Sequence, residues 1–247
     1  MNETLKTIHL LRSARNDFNE KKVPDEIMNQ IIDSSMKAAN ASNVQRYSMI
    51  LLDKPDLLWA ITNKDTAQTA IVYCLDYNRI IETAHHMGHD YTPGTNNWYD
   101  IISGIFDVSA LAQTAVIAAA SLGVDTVITN SVLRENQSEI INKLKLPEKY
   151  CIAVMAVLFG YRDVPLKEQN NRLPREFIVH HNEYNRLNDS KHNDIISFYD
   201  NLYPEYKDDT FPHYLDFFYK KWCGHIDEEI RENLKLRMLE AGFTIVP

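Results

Sequence analysis

The sequence predicts a mixed α/β fold in which helices alternate with about four strands. Short apolar runs typical of buried strands occur at residues 46–52, 70–75, 126–129 and 151–159. Segments with the apolar pattern of helices lie between them, at residues 24–39, 100–122 and 134–146. The chain has 247 residues, which is long enough for one large domain or two small ones.

The helical segments have different characters. Apolar residues from Ile27 to Met36 recur at a spacing near 3.6 residues, and Pro24 stands where a first helical turn tolerates proline. Residues 108–122 are apolar on nearly every face, and Gly123 is expected to end that helix. A membrane span is the alternative, but the stretch is shorter than the roughly 20 residues that a span needs. We therefore predict a buried central helix.

Composition excludes several classes of protein. The net charge is −8 and the isoelectric point is about 5.6, which disfavours duplex nucleic acid and anionic membrane surfaces as partners. Neither GxGxxG nor GxxxxGK[ST] occurs, so side chains rather than a glycine-rich turn must hold any nucleotide. The 3 cysteines form no CxxC pair and the first residues do not resemble a signal peptide, so we expect a cytoplasmic protein.

The composition changes near residue 183. We expect residues 1–182 to form the core and residues 183–247 to form a C-terminal arm of the same domain. The arm is rich in tyrosine, asparagine, aspartate and histidine, and beyond a terminal helix at 227–241 it lacks a regular pattern. Its isolated aromatic side chains must pack on something, and a partner subunit is the natural candidate.

Three polar segments could carry chemistry. In Arg12-Ser13-Ala14-Arg15 the two arginines, three apart, would share a helix face and could fork onto phosphate oxygens; the alternative is a solvated surface pair. Residues 41–45 are short and polar at a helix-to-strand junction, which suits a flat heteroaromatic ring, with a plain capping loop as the alternative. Residues 170–175 form a basic loop after the last strand and are weakly phosphate-like.

Two further kinds of site are disfavoured. His85 and His89 have the spacing of shared metal ligands, but we favour a solvated loop there and predict no metal. No GxSxG elbow supports Ser/His/Asp hydrolysis.

Taken in order, these segments resemble the nitroreductase family, in its NADPH-dependent nitroreductase and flavin reductase branch. RSAR is similar to the family's R-S-x-R, and NASNVQ to its S-S-x-x-Q loop. YCLDYNR at residues 73–79 is similar to F-C-A-D-x-x-R, and ALAQTAVIAAASLG at 110–123 to the family's central helix. RLP at 172–174 and AGF at 241–243 match its later motifs.

The resemblance implies an α+β sandwich with a small, mainly antiparallel sheet flanked by helices. It further implies a homodimer formed through the central helix, with C-terminal arms wrapping the partner subunit and one FMN in each of two clefts. The cofactor-binding positions that it implies are Arg12, Ser13, Arg15, Asn40, Ser42, Gln45, Thr129, Asn130, Ser131, Asn170 and Arg172. Arg231 is the position implied for the nicotinamide-nucleotide phosphate. Asn170 stands where the family has lysine, and Asn130-Ser131 where it has two glycines.

The implied reaction is a ping-pong transfer of hydride from NADPH or NADH, through the flavin N5, to a small aromatic electron acceptor. That acceptor is a nitroaromatic, a quinone or free flavin. The flavin carries the chemistry, so no catalytic side chain is assigned. The alternatives are an FMN-binding redox or storage protein with little reductase activity, and a specialised flavoenzyme of the same family.

Overall fold

The computed structural model describes residues 1–15, 18–62, 67–91, 97–133, 137–165, 171–223 and 228–244. Its strands are β1 (Tyr47–Leu52), β2 (Thr69–Asp76), β3 (Asp125–Thr129) and β4 (Cys151–Gly160). Its helices are α1 (Glu3–Leu10), α2 (Asp25–Ser35), α3 (Pro55–Thr62), α4 (Asn78–His86), α5 (Trp98–Ser121), α6 (Gln137–Leu144), α7 (Asp189–Leu202), α8 (Tyr214–Phe218) and α9 (Glu228–Glu240). The predicted strands are all present, and the predicted helices begin or end within a few residues of those observed.

The strands form one antiparallel sheet in the order β1-β2-β4-β3. β2 and β4 pair from Thr69 opposite Phe159 to Asp76 opposite Cys151. All 8 residues of β2 are buried, because helices cover both faces of this central strand. Its continuous apolar run reflects that burial, and the small, mainly antiparallel sheet is confirmed.

Two hydrophobic cores lie on opposite faces of the sheet, since side chains alternate along a strand. On one face, Tyr73 and Leu75 pack with residues of α2 and α5, including Ile31 and Leu111. On the other face, residues of β2 pack with α3 and α6, and the contributors are Val72, Cys74, Leu58, Ile61, Ile140 and Ile141. The resulting layers are helices on both sides of a small sheet, as predicted.

The central helix α5 is buried along one face only. Residues from Ile101 to Ala119 on that face contact the sheet and α2. Within the described part of the chain, α5 is the one helix long and apolar enough to cross a membrane by length and composition. Its packing in the core supports the predicted central helix, but its N-terminal half leaves large apolar side chains such as Trp98 and Phe106 exposed.

By residue contacts the chain divides into two compact units, residues 1–166 with 232–247, and residues 167–231. The second unit contains more helix than predicted, because α7 and α8 carry too little apolar periodicity to be seen in the sequence. Its aromatic residues are not isolated: the rings of Tyr203 and Tyr214 lie 4.5 Å apart and those of Tyr206 and Phe217 lie 4.8 Å apart. These rings pack on one another within the unit.

The histidine segment also differs from its prediction. His85 and His86 lie in the last turn of α4 rather than in a loop, and only His89 follows the helix. An imidazole interacts favourably with the carbonyl end of a helix, which explains their place. Among the residues that the structure describes, no group of His, Cys, Asp and Glu side chains is arranged to hold a metal ion.

Candidate functional site

The segment Arg12–Arg15 follows α1 and runs along the edge of β3. Ser13 forms a parallel bridge with Thr126, and the Ala14 N–H donates a hydrogen bond to the Thr126 carbonyl at 2.8 Å. The prediction that the two arginines share a helix face is therefore wrong, because the free edge of β3 captures the segment in an extended conformation. Ala14 is fully buried, whereas Ser13 and Arg15 on either side of it are exposed.

The two arginines have different surroundings. The Arg12 guanidinium donates to the carbonyls of His9 at 3.2 Å and Leu11 at 2.7 Å, so it caps the end of α1. Arg15 is exposed and has no ion-pair partner among the residues described. A guanidinium has five N–H donors, so Arg12 retains some of them for an anion, and no hydrogen bond joins the Arg15 guanidinium to another described residue.

The turn after β3 lies on the same edge of the sheet. Ser13 pairs with Thr126 in the parallel sense, and the Arg15 N–H donates to the Ser13 carbonyl at 3.0 Å, so the chain turns directly after this bridge. The Ser131 N–H donates to Thr129 Oγ1 at 3.1 Å, and Ser131 Oγ donates to the Thr62 carbonyl at 3.0 Å. The hydroxyl groups of Thr129 and Ser131 thus fix the turn, while Asn130 is exposed.

The polar loop between α2 and β1 has an unusual backbone. Ser42, Asn43 and Gln45 have φ angles of +55°, +55° and +57°, in the left-handed region that residues other than glycine seldom adopt. Each such residue costs roughly 1–2 kcal/mol. Strained backbone of this kind clusters at binding and catalytic sites, where the surrounding structure maintains it. The backbone conformation favours a functional role for this loop, which stays a prediction.

Several buried polar atoms beside this loop lack a hydrogen-bond partner within the described structure. They are Asn40 Oδ1, Arg46 Nη1, Tyr47 Oη and Asp107 Oδ2. A buried polar atom left unsatisfied costs about 1–3 kcal/mol, so such a group calls for water, a ligand or a partner chain. Burial raises the pKa of the Asp107 carboxyl, and the N–H of Ala41 and the charge of Arg46 partly counter that rise.

The remaining predicted residues lie elsewhere. Arg172 belongs to the second unit, where it is exposed. Arg231 is exposed in the first turn of α9, close in sequence to the acidic residues Glu228 and Glu232. Asn170 lies outside the described residues.

The structure thus brings the predicted residues of the first unit into two groups. Arg12, Ser13 and Arg15 share the β3 edge with the turn at 129–131, whereas Asn40, Ser42 and Gln45 belong to the left-handed loop. No hydrogen bond or ion pair between described residues joins the two groups.

Three residues at this loop were not predicted as site residues: Arg79 and Asp107, which bond to it, and Arg46, which follows it and pairs with Asp107. Asp107 is the one charged residue in the otherwise apolar stretch 107–123, and Arg79 follows the apolar run 70–75 by four positions. That contrast is the signal in the sequence that could have identified them.

Known proteins provide a comparison for this arrangement. No family model matches the sequence. The FMN reductase [NAD(P)H] of Bacillus subtilis is 29% identical over 216 residues, which cover 83% of each chain. The oxygen-insensitive NADPH nitroreductase of Salmonella typhimurium is 29% identical over 211 residues, covering 81% of this chain and 82% of the relative. The structure of NfrA2 from B. megaterium superimposes with a TM-score of 0.84 at 24% identity, over 100% of both chains. The last likeness establishes the fold.

Proposed function

Because the chain belongs to the family of NADPH-dependent nitroreductases and flavin reductases, we propose that it is an FMN-dependent oxidoreductase. It takes hydride from NADPH or NADH and passes it, in ping-pong order, to a nitroaromatic, a quinone or free flavin. Among the structural observations, the one that carries most weight is the left-handed polar loop at Ser42–Gln45, which lies beside buried polar atoms that have no hydrogen-bond partner among the described residues.

The residues present fit FMN. The FMN phosphate is a dianion, and Arg15 offers it an exposed guanidinium next to the hydroxyl of Ser13. A flavin ring carries both donors and acceptors along its polar edge. Asn40 Oδ1 is a buried acceptor that still lacks a donor, and such an atom suits a ring N–H.

The residues of this chain would bind and orient, rather than take part in bond making. Bound FMN supplies the two-electron redox chemistry. Arg12, Arg15 and Arg172 would neutralise its phosphate, and the backbone and side chains of residues 40–45 and 129–131 would hold the ring. We assign no side chain of these segments a role in proton transfer and propose that solvent supplies the protons.

We also propose a homodimer formed through α5. Four large side chains in the first three turns of this helix are 57%, 77%, 61% and 58% exposed, and they are Trp98, Tyr99, Ile102 and Phe106. Leu5 and Ile8 of α1 add to the exposed apolar surface of the first unit. Large exposed apolar patches are rare on monomers and mark interfaces with other proteins. Of the predicted arm 183–247, residues 183–231 would wrap the partner, because residues 232–247 belong to the first unit, and the FMN clefts would form between the two subunits.

We place the enzyme in the cytoplasm. Cys74 and Cys151 are buried, unoxidised thiols, as is usual for proteins of reducing compartments, and the nicotinamide donors are cytoplasmic metabolites.

An anaerobic titration tests this function. The purified protein should be yellow, and NADPH or NADH should bleach the flavin absorbance without oxygen. A nitroaromatic, a quinone or free FMN should then restore it. Yellow protein that neither donor bleaches would favour a redox or storage role, and bleaching without reoxidation by this panel would favour a specialised flavoenzyme. Protein that binds no FMN would refute the proposal.

A further inference from the structure

Charged side chains from two helices hold the left-handed loop at both of its ends. At its start, the N–H of Ala41 donates to Asp107 Oδ1 at 2.7 Å, and Asp107 on α5 is fully buried. At its end, Arg79 Nη2 on α4 donates to the carbonyls of Gln45 at 3.0 Å and Tyr47 at 2.8 Å. The loop is therefore tied to α5 before its strained residues and to α4 after them.

A third charged residue lies between these ties. The side chain of Arg46 is only 11% exposed, and its Nη1 lies 3.8 Å from Asp107 Oδ2. Its Nη2 lies 3.7 Å from Asp100 Oδ1. We call Arg46, Arg79 and Asp107 the loop clamp. Together with Asp100, the clamp is formally neutral, since two guanidinium groups face two carboxylates.

The clamp explains how the loop keeps its backbone conformation. Three residues with positive φ would relax to ordinary conformations unless their neighbours were fixed. A hydrogen bond from or to a charged group is about twice as strong as one between neutral groups, so a few such bonds can fix a short segment. Local sequence does not supply these bonds, because Asp107 is 66 positions from Ala41 and Arg79 is 34 positions from Gln45.

We propose that Arg46, Arg79 and Asp107 are positioning residues for FMN, which hold residues 42–45 in the binding conformation before the cofactor arrives. This inference rests on the proposed function. It makes two separable claims. The bonds of the clamp set FMN affinity, because a preorganised loop loses less conformational freedom on binding. The charge of the clamp sets the flavin potential, because it lies next to the loop that holds the ring.

Arg79 tests the first claim. It is exposed on the outer side of α4, so its replacement should leave the core intact. We expect Arg79→Ala to weaken FMN binding by about tenfold or more, and Arg79→Lys to recover part of the loss because lysine can donate to one of the two carbonyls. FMN fluorescence quenching gives the dissociation constant. The melting temperature of the FMN-free protein shows whether the variants fold like the wild type.

Asp107 tests the second claim. Asp107→Asn keeps an oxygen that can accept the Ala41 N–H but removes the negative charge opposite Arg46. Arg46 and Arg79 then face Asp100 alone, and the net positive charge stabilises a reduced, more anionic flavin, so the midpoint potential should shift to a more positive value. A merely structural role would not move the potential in a fixed direction. Lys143→Ala is the matched control, because it breaks an exposed ion pair with Glu139 on α6 and should change neither quantity.

The outcomes separate the inference from the function on which it rests. Wild-type protein that binds no FMN removes the proposed function itself. Wild-type protein that binds FMN, with Arg79→Ala binding it equally tightly, overturns the positioning role. An unchanged midpoint potential in Asp107→Asn, with FMN bound, also overturns it.

Discussion

Replacing Gly242 with alanine should destabilise the protein markedly, because the change combines backbone strain with a steric clash. Gly242 follows α9 with a φ of +84°. Its N–H donates to the Leu239 carbonyl at 3.0 Å, and the next N–H, of Phe243, donates to the Met238 carbonyl at 2.8 Å. This is the Schellman pattern that ends a helix with a left-handed residue. A Cβ added at Gly242 would lie 2.8 Å from Cε1 of Tyr150.

Gly88 provides a matched control. It follows α4 with a φ of +78°, and a Cβ there would meet no heavy atom within 4 Å. Both substitutions incur a left-handed alanine, which costs about 1–2 kcal/mol and is partly offset by the loss of glycine's freedom in the unfolded chain. Only Gly242 adds the clash. The Tyr150 ring cannot retreat freely, because the Tyr150 N–H is bonded to the Ala241 carbonyl at 2.7 Å.

Overpacking of this kind costs about 1–3 kcal/mol. We therefore expect a loss of about 1 kcal/mol for Gly88→Ala and about 2–4 kcal/mol for Gly242→Ala. In a chain of this size each kcal/mol lowers the melting temperature by about 2–4 °C. Urea unfolding followed by circular dichroism, at one protein concentration for all variants, gives the free energies. Equal losses for the two variants would refute the reasoning, because the contact between α9 and Tyr150 would then carry no energy.

The remaining predictions concern ligands and acid stability. Arg172→Ala should weaken FMN binding roughly ten- to hundredfold, and more than Lys167→Ala does, if Arg172 contacts the phosphate; an unchanged dissociation constant would remove that assignment. Steady-state kinetics should show a preference for NADPH over NADH of less than about tenfold, because acidic neighbours such as Glu232 oppose the attraction of Arg231 for the 2′-phosphate; a hundredfold preference would contradict this. Burial would raise the pKa of Asp200, but hydrogen bonds from an imidazole, a backbone N–H and a lysine outweigh it and hold the pKa at about 2. The resulting stabilisation is complete above the ordinary pKa of 3.8 and is lost as the pH falls towards 2. In Asp200→Asn the free energy of unfolding should therefore depend less on pH in that range, as measured by urea unfolding followed by circular dichroism. The same pH dependence in the variant and the wild type would contradict this.

The fold was predictable where the sequence has a short apolar run, which indicates a buried strand, or apolar residues at helical spacing. Buried strands such as β2 and β4 are short continuous apolar runs, and α2 carries apolar residues at helical spacing. Helices α7 and α8 were not predicted, because their aromatic residues pack on one another rather than along one apolar face. A helix with that composition has no clear periodic signal.

The candidate site was predictable only in part, because its geometry depends on contacts between distant residues. Arg12 and Arg15 have helical spacing, yet hydrogen bonds to Thr126 on β3 make their segment extended. Ser42 and Gln45 look like ordinary loop residues, and no feature of the neighbouring sequence indicates their left-handed conformation. The family motifs identify the segments, but only the folded chain shows that Asp107 and Arg79 fix them.

The loop beside α5 departs from the ordinary rules of protein structure in two independent ways. Its backbone holds three non-glycine residues at positive φ within four positions, and buried polar atoms next to it have no hydrogen-bond partner among the described residues. Either feature is an energetic cost, and at this loop the two occur together. A bound planar cofactor addresses both at once, because it offers donors and acceptors to the unpaired atoms and it requires backbone groups in fixed directions. The strain is therefore best understood as the cost of keeping a binding surface in place before the ligand arrives.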